Sequence, residues 1–323
     1  QVGRYSATTT ALLYLDGVVY LPICEEMRKR LDAFEVDGIE DGGMIEYLTR
    51  KKKEGRFPVY QTTERPDRAA QAILEGRVVL LTDNSPEALI FPATLNSLFQ
   101  TADDYYRNER IVTFLRLIRY VAAFLALALP GLYVAAATFH PQLLPGNLIR
   151  SMAEARSGVP FPTAAEVLLM ELSFELLREA GLRMPGPAGN TIGIVGGLIV
   201  GQAAVSANLV SPITVTVAAL TALGSFSIPN EELSEVFRLW KYGILLLGSC
   251  FGILGVMLGC FLLLMLMAEQ ESYGIPWLYP YVGGNLNERA DEKDSMFLAA
   301  ARKRKRRPIF AKWGNRIRFR RKS

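Results

Sequence analysis

The sequence predicts an α-helical transmembrane bundle, of about four spans plus an amphipathic helix, joined to an N-terminal cytoplasmic α/β domain. Three observations lead there. The 323 residues are charged in their first part, nearly free of charge in the middle and basic at the end. The middle contains apolar runs that reach the ~20 residues a helix needs to cross ~30 Å of hydrocarbon. The first part alternates short apolar stretches with helical patterns and turn residues.

Residues 1–110 form the expected cytoplasmic domain. ALLYLDGVVY reads as a strand and EEMRKRLDAF as a helix. FPVYQTT, RPDRAAQAILEG and RVVLLTD follow as strand, helix and strand, closed by a DNSP turn, and PEALIFP adds a strand. Asp16, Asp37, Asp41 and Asp83 lie in turns, where carboxylates cap or meet water rather than bind metal. The single histidine, His140, stands at the end of an apolar run, so no Ser-His-Asp or Cys-His set exists in this domain. A binding or regulatory role is expected, with no catalytic residue. No charged leader with a short apolar stretch opens the sequence, so no secretory signal is expected.

Residues 111–270 form the expected transmembrane domain. Ile118 to Phe139 and Tyr242 to Ala268 are the clearest spans, with Pro130 as a kink inside the first. Thr191 to Ile228 is apolar almost throughout and breaks at Ser211-Pro212, because Pro212 suits a first helical turn and not an interior. Two further spans are expected there, the second short and ending before Pro229, with a re-entrant segment as the alternative. Four crossings put both termini on one side. Arg107, Arg110, Arg116 and Arg119 before the first span and the basic tail after the last make that side the cytoplasm. Glu231, Glu232, Glu235, Arg238 and Lys241 then fall in an outer loop.

Between the first two spans, Pro160 and Pro162 mark a rigid entry to an amphipathic helix over 163–183, with Thr163 and Glu166 spaced as a capping box. Glu171, Glu175 and Glu179 recur at intervals of four, Arg178 and Arg183 are placed to pair with them, and leucines occupy another face. Such a helix lies at an interface with its glutamates in water, or lines a water-filled path in which carboxylates attract cations. Gly189, Gly193, Gly197 and Gly201 are also spaced by four, and Gly248, Gly252, Gly255 and Gly259 recur in the last span. Missing side chains on one helix face let another backbone approach, either within one subunit or between subunits. The glycines are not a nucleotide loop, because no GK[ST] ending and no preceding strand accompany them.

The whole-chain charge is +4, and its basicity comes from the tail, residues 271–323, whose run from Arg302 onward contains no acidic residue. Following a membrane span, this tail is expected to bind anionic lipid at ~1 kcal/mol per basic residue near the surface, rather than nucleic acid. Phe310, Trp313 and Phe319 would anchor it among the headgroups. Cys24, Cys250 and Cys260 are scattered, so they provide neither a disulfide framework nor a zinc site, and no metal or cofactor is expected.

The stretches RYVAAFLALALPGLYVAAATFHPQLLP, GVPFP, ELSFELLREAGLRMP, TIGIVGGLIVGQAAVSANLVSP and SFSIP, in this order, resemble the A subunit of the nutrient germinant receptors of bacterial endospores. TTERPDRAAQAILEGRVVLLTDNSPEALIFP and DDYY resemble that family's soluble domain. The resemblance does not separate the A subunit from its stage V sporulation homologue. It implies a multi-pass protein of the inner spore membrane, working with a transporter-like, nutrient-binding B subunit and a lipoprotein C subunit. It also implies assembly into an oligomer, with a pentamer as the expected form, that makes a nutrient-gated cation channel. Relatives carry more soluble sequence before ALLYLDGVVY, so part of the N-terminal domain is expected to be absent, and GGNLNERADEKDSMFLAAARKRKRRP departs from the usual ending. A non-conducting scaffold of the germination complex uses the same glycine contacts, and a lone secondary transporter would use polar groups such as Asn190, Gln202 and Asn208.

Overall fold

The computed structural model describes the chain apart from residues 52–53, 184–186, 283–293, 301–302, 305, 313, 315–316 and 318–323, and gives no side-chain surroundings for 187–195 and 198. The chain divides into two compact units. Unit one joins Gln1–Ile118, Pro229–Leu233 and Met265–Ser323, and unit two joins Arg119–Ile228 and Ser234–Leu264.

Unit one is built on an antiparallel sheet of β1 (Thr10–Leu13), β2 (Gln61–Thr63), β3 (Val78–Thr82) and β4 (Ala88–Phe91), in the order β1-β3-β4-β2. Thr10 lies opposite Thr82, Val78 opposite Phe91 and Gln61 opposite Ile90. Successive side chains point to opposite faces of a strand, and both faces are covered. Val79 and Ile90 meet Ala72 of α3 (Pro66–Leu74). Val78, Leu80, Leu89 and Phe91 meet Ile23, Cys24 and Met27 of α1 (Leu21–Asp32) and Ile45 of α2 (Gly42–Thr49). Asp41 caps α2 by accepting from the Gly43 N–H at 3.2 Å. The stretch expected as one strand, ALLYLDGVVY, ends its pairing at Leu13, because Asp16-Gly17 makes a turn in which Gly17 takes φ +75°.

Residues beyond Met265 enter the same core. Tyr273, Ile275, Tyr279 and Phe310 are buried with the sheet, and the Trp277 Nε1–H donates to the Pro58 carbonyl at 2.7 Å. Phe310 is therefore a core residue stacked under the Arg77 guanidinium, 4.4 Å from its ring centre, and not a headgroup anchor. Trp313 and Phe319 lie outside the described residues.

The helices continue with α4 (Leu95–Leu98), α5 (Glu109–Thr138), α6 (Gly146–Arg156), α7 (Thr163–Leu182), α8 (Pro187–Ser206), α9 (Pro212–Phe226), α10 (Glu231–Phe251) and α11 (Ile253–Glu269). Among the described residues α5 is long and apolar enough to cross a membrane, while α9 and α11 are apolar but shorter. Pro130 is buried inside α5. Pro212 opens α9, whose N-cap Ser211 accepts from the Thr214 N–H at 3.3 Å.

Two expectations are corrected in unit two. Tyr242 to Ala268 is not one span: the chain reverses at Gly252, which takes φ +63°, and α11 folds back along α10. A Cβ at Gly259 would sit 2.8 Å from Ile244, one at Gly248 2.9 Å from Val256, and one at Gly255 would overlap the Leu247 carbonyl. Nor is Glu231 to Lys241 a loop. It forms the first half of α10, started where the Asn230 side chain accepts from the Leu233 N–H at 2.9 Å and where Glu231 and Glu232 suit a helix N-terminus.

Candidate functional site

The polar groups of unit two converge on α7. Its start is also a correction, because Pro162 is the N-cap and Glu166 falls one position too late for a capping box. Fully buried, Glu166 reaches another helix instead. One carboxylate oxygen accepts from Arg156 Nε at 3.0 Å, and the other accepts from the Ser211 N–H at 2.9 Å and the Thr214 hydroxyl at 3.1 Å. A carboxylate at the N-terminus of α9 satisfies free backbone donors there and complements the helix dipole.

Five residues further along α7, Glu171 meets Lys241 of α10 at 2.5 Å, with only 2% and 5% of the two side chains exposed. One turn on, Glu175 meets Arg238 at 2.5 Å, and this pair is less buried, with Glu175 36% exposed. Arg178 then donates to the Ser225 hydroxyl of α9 at 2.6 Å and lies over the Phe226 ring, 4.3 Å from its centre. At ~1.5 Å of rise per residue, the seam from Glu166 to Arg178 runs for about 18 Å. Glu179 and Arg183 stand apart from it, paired with each other at 2.6 Å on an exposed face.

Beside this seam is an open cavity of about 940 Å³ lined by α7, α8, α9 and α10. Glu171, Glu175, Arg178, Arg238 and Lys241 supply its charge, while Phe174, Leu177, Val215 and Phe226 supply apolar wall. Gln202 lines it too. Two carboxylates face three cationic groups, so each acidic group already has a partner in this arrangement. Among the described residues no group of His, Cys, Asp or Glu is arranged to hold a metal ion.

The helical glycines border the same region. A Cβ at Gly197 would meet the Phe174 ring at 3.2 Å, one at Gly201 would meet Val215 at 3.2 Å, and one at Gly196 would meet Leu177 at 2.8 Å. The surroundings of Gly189, Gly193 and Asn190 lie outside the described residues. Gly131 of α5 lets α10 and α11 approach, with Ile244 and Val256 at 3.2 and 3.3 Å from its Cβ position.

Sequence reasoning placed Glu171, Glu175 and Arg178 on one helix and missed their partners. The signal was present: Arg238 and Lys241 are three apart, matching the four-residue step of the glutamates on an opposing helix. Assigning them to a loop hid it.

Residues 1–310 match the family described as Bacillus/Clostridium GerA spore germination protein. The chain is 39% identical over 300 residues to an uncharacterized membrane protein, YfkQ, of Bacillus subtilis (strain 168), covering 93% of this chain and 58% of that protein. It is 38% identical over 280 residues to spore germination protein A1 of the same organism, covering 87% of this chain and 58% of that protein. With spore germination protein GerQA of Bacillus cereus it shares 36% identity over 319 residues, 99% of this chain and 63% of that protein. The chain thus spans less than two thirds of the length of these relatives. No solved structure matches it. A match running through both units, from the sheet to the α7 seam and the α10–α11 hairpin, means that the chain belongs to the GerA family of spore germination proteins.

Proposed function

We propose that this chain is the membrane subunit of a nutrient germinant receptor and acts in spore germination, with unit two as a gated cation path. It works in the inner spore membrane beside a transporter-like, nutrient-binding B subunit and a lipoprotein C subunit. It assembles as an oligomer, of which a pentamer is one form, with both termini cytoplasmic. Family membership supports the germination role. The observation that carries the ion path is the pairing of Glu171 and Glu175 with Lys241 and Arg238 beside the α7–α10 cavity. Carboxylates held this way attract no passing cation, so the arrangement is a closed state. Separating α10 from α7 exposes both acids to water, and acidic groups along a hydrated path favour cations.

Potassium flux into liposomes tests this, with the protein alone and with its B and C partners plus nutrient. Arg238→Met frees Glu175 and is expected to raise the partner-independent leak about tenfold, whereas Glu175→Gln lowers gated flux. A wild-type oligomer that conducts nothing under any condition, and an Arg238→Met protein that leaks no more than wild type, would sink the ion path and leave the germination role standing. The scaffold reading draws on a different observation, that the described glycine contacts and both ion pairs tie unit two together internally. It predicts normal germination for Glu175→Gln spores.

A further inference from the structure

Unit one contains a second polar pocket, remote in sequence from the glutamate seam, that neither the ion path nor the family resemblance uses. Its volume is about 240 Å³, and its wall includes Gln61 and Thr62 of β2, Arg68 of α3, Gln100, Asp103 and Asn230. Arg68 lies on the buried face of α3 and is 3% exposed. One of its terminal nitrogens donates to the Gln61 amide oxygen at 3.2 Å, while among the described residues Nε and the other terminal nitrogen have no hydrogen-bond acceptor.

Arg77, equally buried, donates to the same Gln61 oxygen at 3.3 Å. Two guanidinium groups therefore share one neutral acceptor, and among the described residues neither makes an ion pair. The acidic group in the wall, Asp103, is already engaged by Arg65 at 3.0 Å. Burial pulls Arg77 down to about 10, against the pull of Glu75 and with the push of Arg68. A buried cation with unused donors is costly unless a counter-charge reaches it, and a planar guanidinium matches an oxyanion with two parallel hydrogen bonds.

We propose that this pocket binds a small oxyanion, a carboxylate or a phosphate, on the free N–H groups of Arg68, with the β2 hydroxyls and the Gln100 amide as its polar wall. The volume sets the size. A water occupies ~30 Å³ of liquid and drug-sized ligands need ~300 Å³ or more, so the occupant is a compact metabolite-scale anion rather than a nucleotide. Its charge would complete the electrostatics of the α3–β2–β3 layer, so binding is also expected to stabilise unit one against unfolding.

The test is titration calorimetry on the full chain in detergent, using inorganic phosphate and succinate separately, with sodium chloride at matched ionic strength as the control. One of the two is expected to saturate a single site, and which one saturates assigns the class. Arg68→Gln should weaken that binding about tenfold or more, the loss expected of a charged hydrogen bond. Arg68→Lys should recover part of it. Thr62→Val keeps Arg68 and removes a wall hydroxyl, and should cost about twofold to tenfold, so the proposal remains testable if Arg68→Gln does not fold. Absence of saturable binding by either anion overturns the proposal, as does affinity unchanged in both Arg68→Gln and Thr62→Val.

Discussion

Glu171 and Glu175 are one helical turn apart, carry the same charge and meet cations at the same 2.5 Å, yet they should respond differently to mutation. Removing one partner of a buried pair leaves the other charge uncompensated, at about 3–5 kcal/mol, whereas at the more exposed pair the loss is smaller, because water reaches Glu175 and Arg238 keeps Glu235 at 3.4 Å. Glu171→Gln should therefore lower the thermal midpoint of the purified protein strongly, by stranding Lys241, and Glu175→Gln only slightly. Equal shifts in a melting experiment would mean that water reaches both pairs alike. Surface charge in unit one carries a different signature. Hydrogen bonds from Lys51 at 2.6 Å and Arg30 at 3.1 Å hold the Glu26 carboxyl below its ordinary range. Its folded pKa is thus below its unfolded one, so its contribution is complete above ~4.3 and fades as pH falls through the folded value. Melting curves between pH 6 and pH 3 should steepen in wild type relative to Glu26→Gln, and parallel curves would exclude the linkage.

At the scale of elements, the α10–α11 hairpin depends on one residue that can hold a left-handed conformation. A side chain at Gly252 would be strained at φ +63° and would meet His140 at 3.0 Å and Phe139 at 3.1 Å. Gly252→Ala is expected to cost at least the ~1–2 kcal/mol of a left-handed L-residue, while Gly243→Ala, with open space around it, should be neutral or stabilising by up to ~1 kcal/mol. Thermal unfolding of the two variants in detergent checks the contrast. This is also where the sequence was least legible. An apolar run carries no phase information when every face is greasy, so Tyr242 to Ala268 satisfied the length rule for a span while containing a reversal. Only the glycines at 248, 252, 255 and 259 signalled close packing, and their spacing fits a straight helix dimer equally well. β3 and β4 were legible as short apolar runs bounded by turn residues, the pattern of strands covered on both faces, and α3 by the proline that opens it. The α7 helix was readable from its period, but its partners were hidden because Glu231 to Lys241, so rich in charge, reads as a loop and only as a helix does it set Arg238 and Lys241 on one face.

For the molecule as a whole, unit one draws its core from both ends of the chain. Trp277 is fully buried beside Phe57, with ring centres 4.9 Å apart. Trp277→Ala should cost about 3–5 kcal/mol, the range for large aromatic truncations in a packed core, and should melt unit one without altering the α7 ion pairs. If urea titration followed by tryptophan-independent circular dichroism showed no loss, the segment after Met265 would be an attachment rather than part of the core. The division of labour in this core also has a consequence in time. A ribosome adding ~5–20 residues per second needs about 7–30 s to pass from Ile118 to Met265, and until then Tyr60 and Phe91 lack the Tyr273 ring that closes over them. The sheet therefore waits half-finished while every residue of unit two is synthesised, and whatever shelters its open face during that interval decides how much of the newborn protein survives to be used.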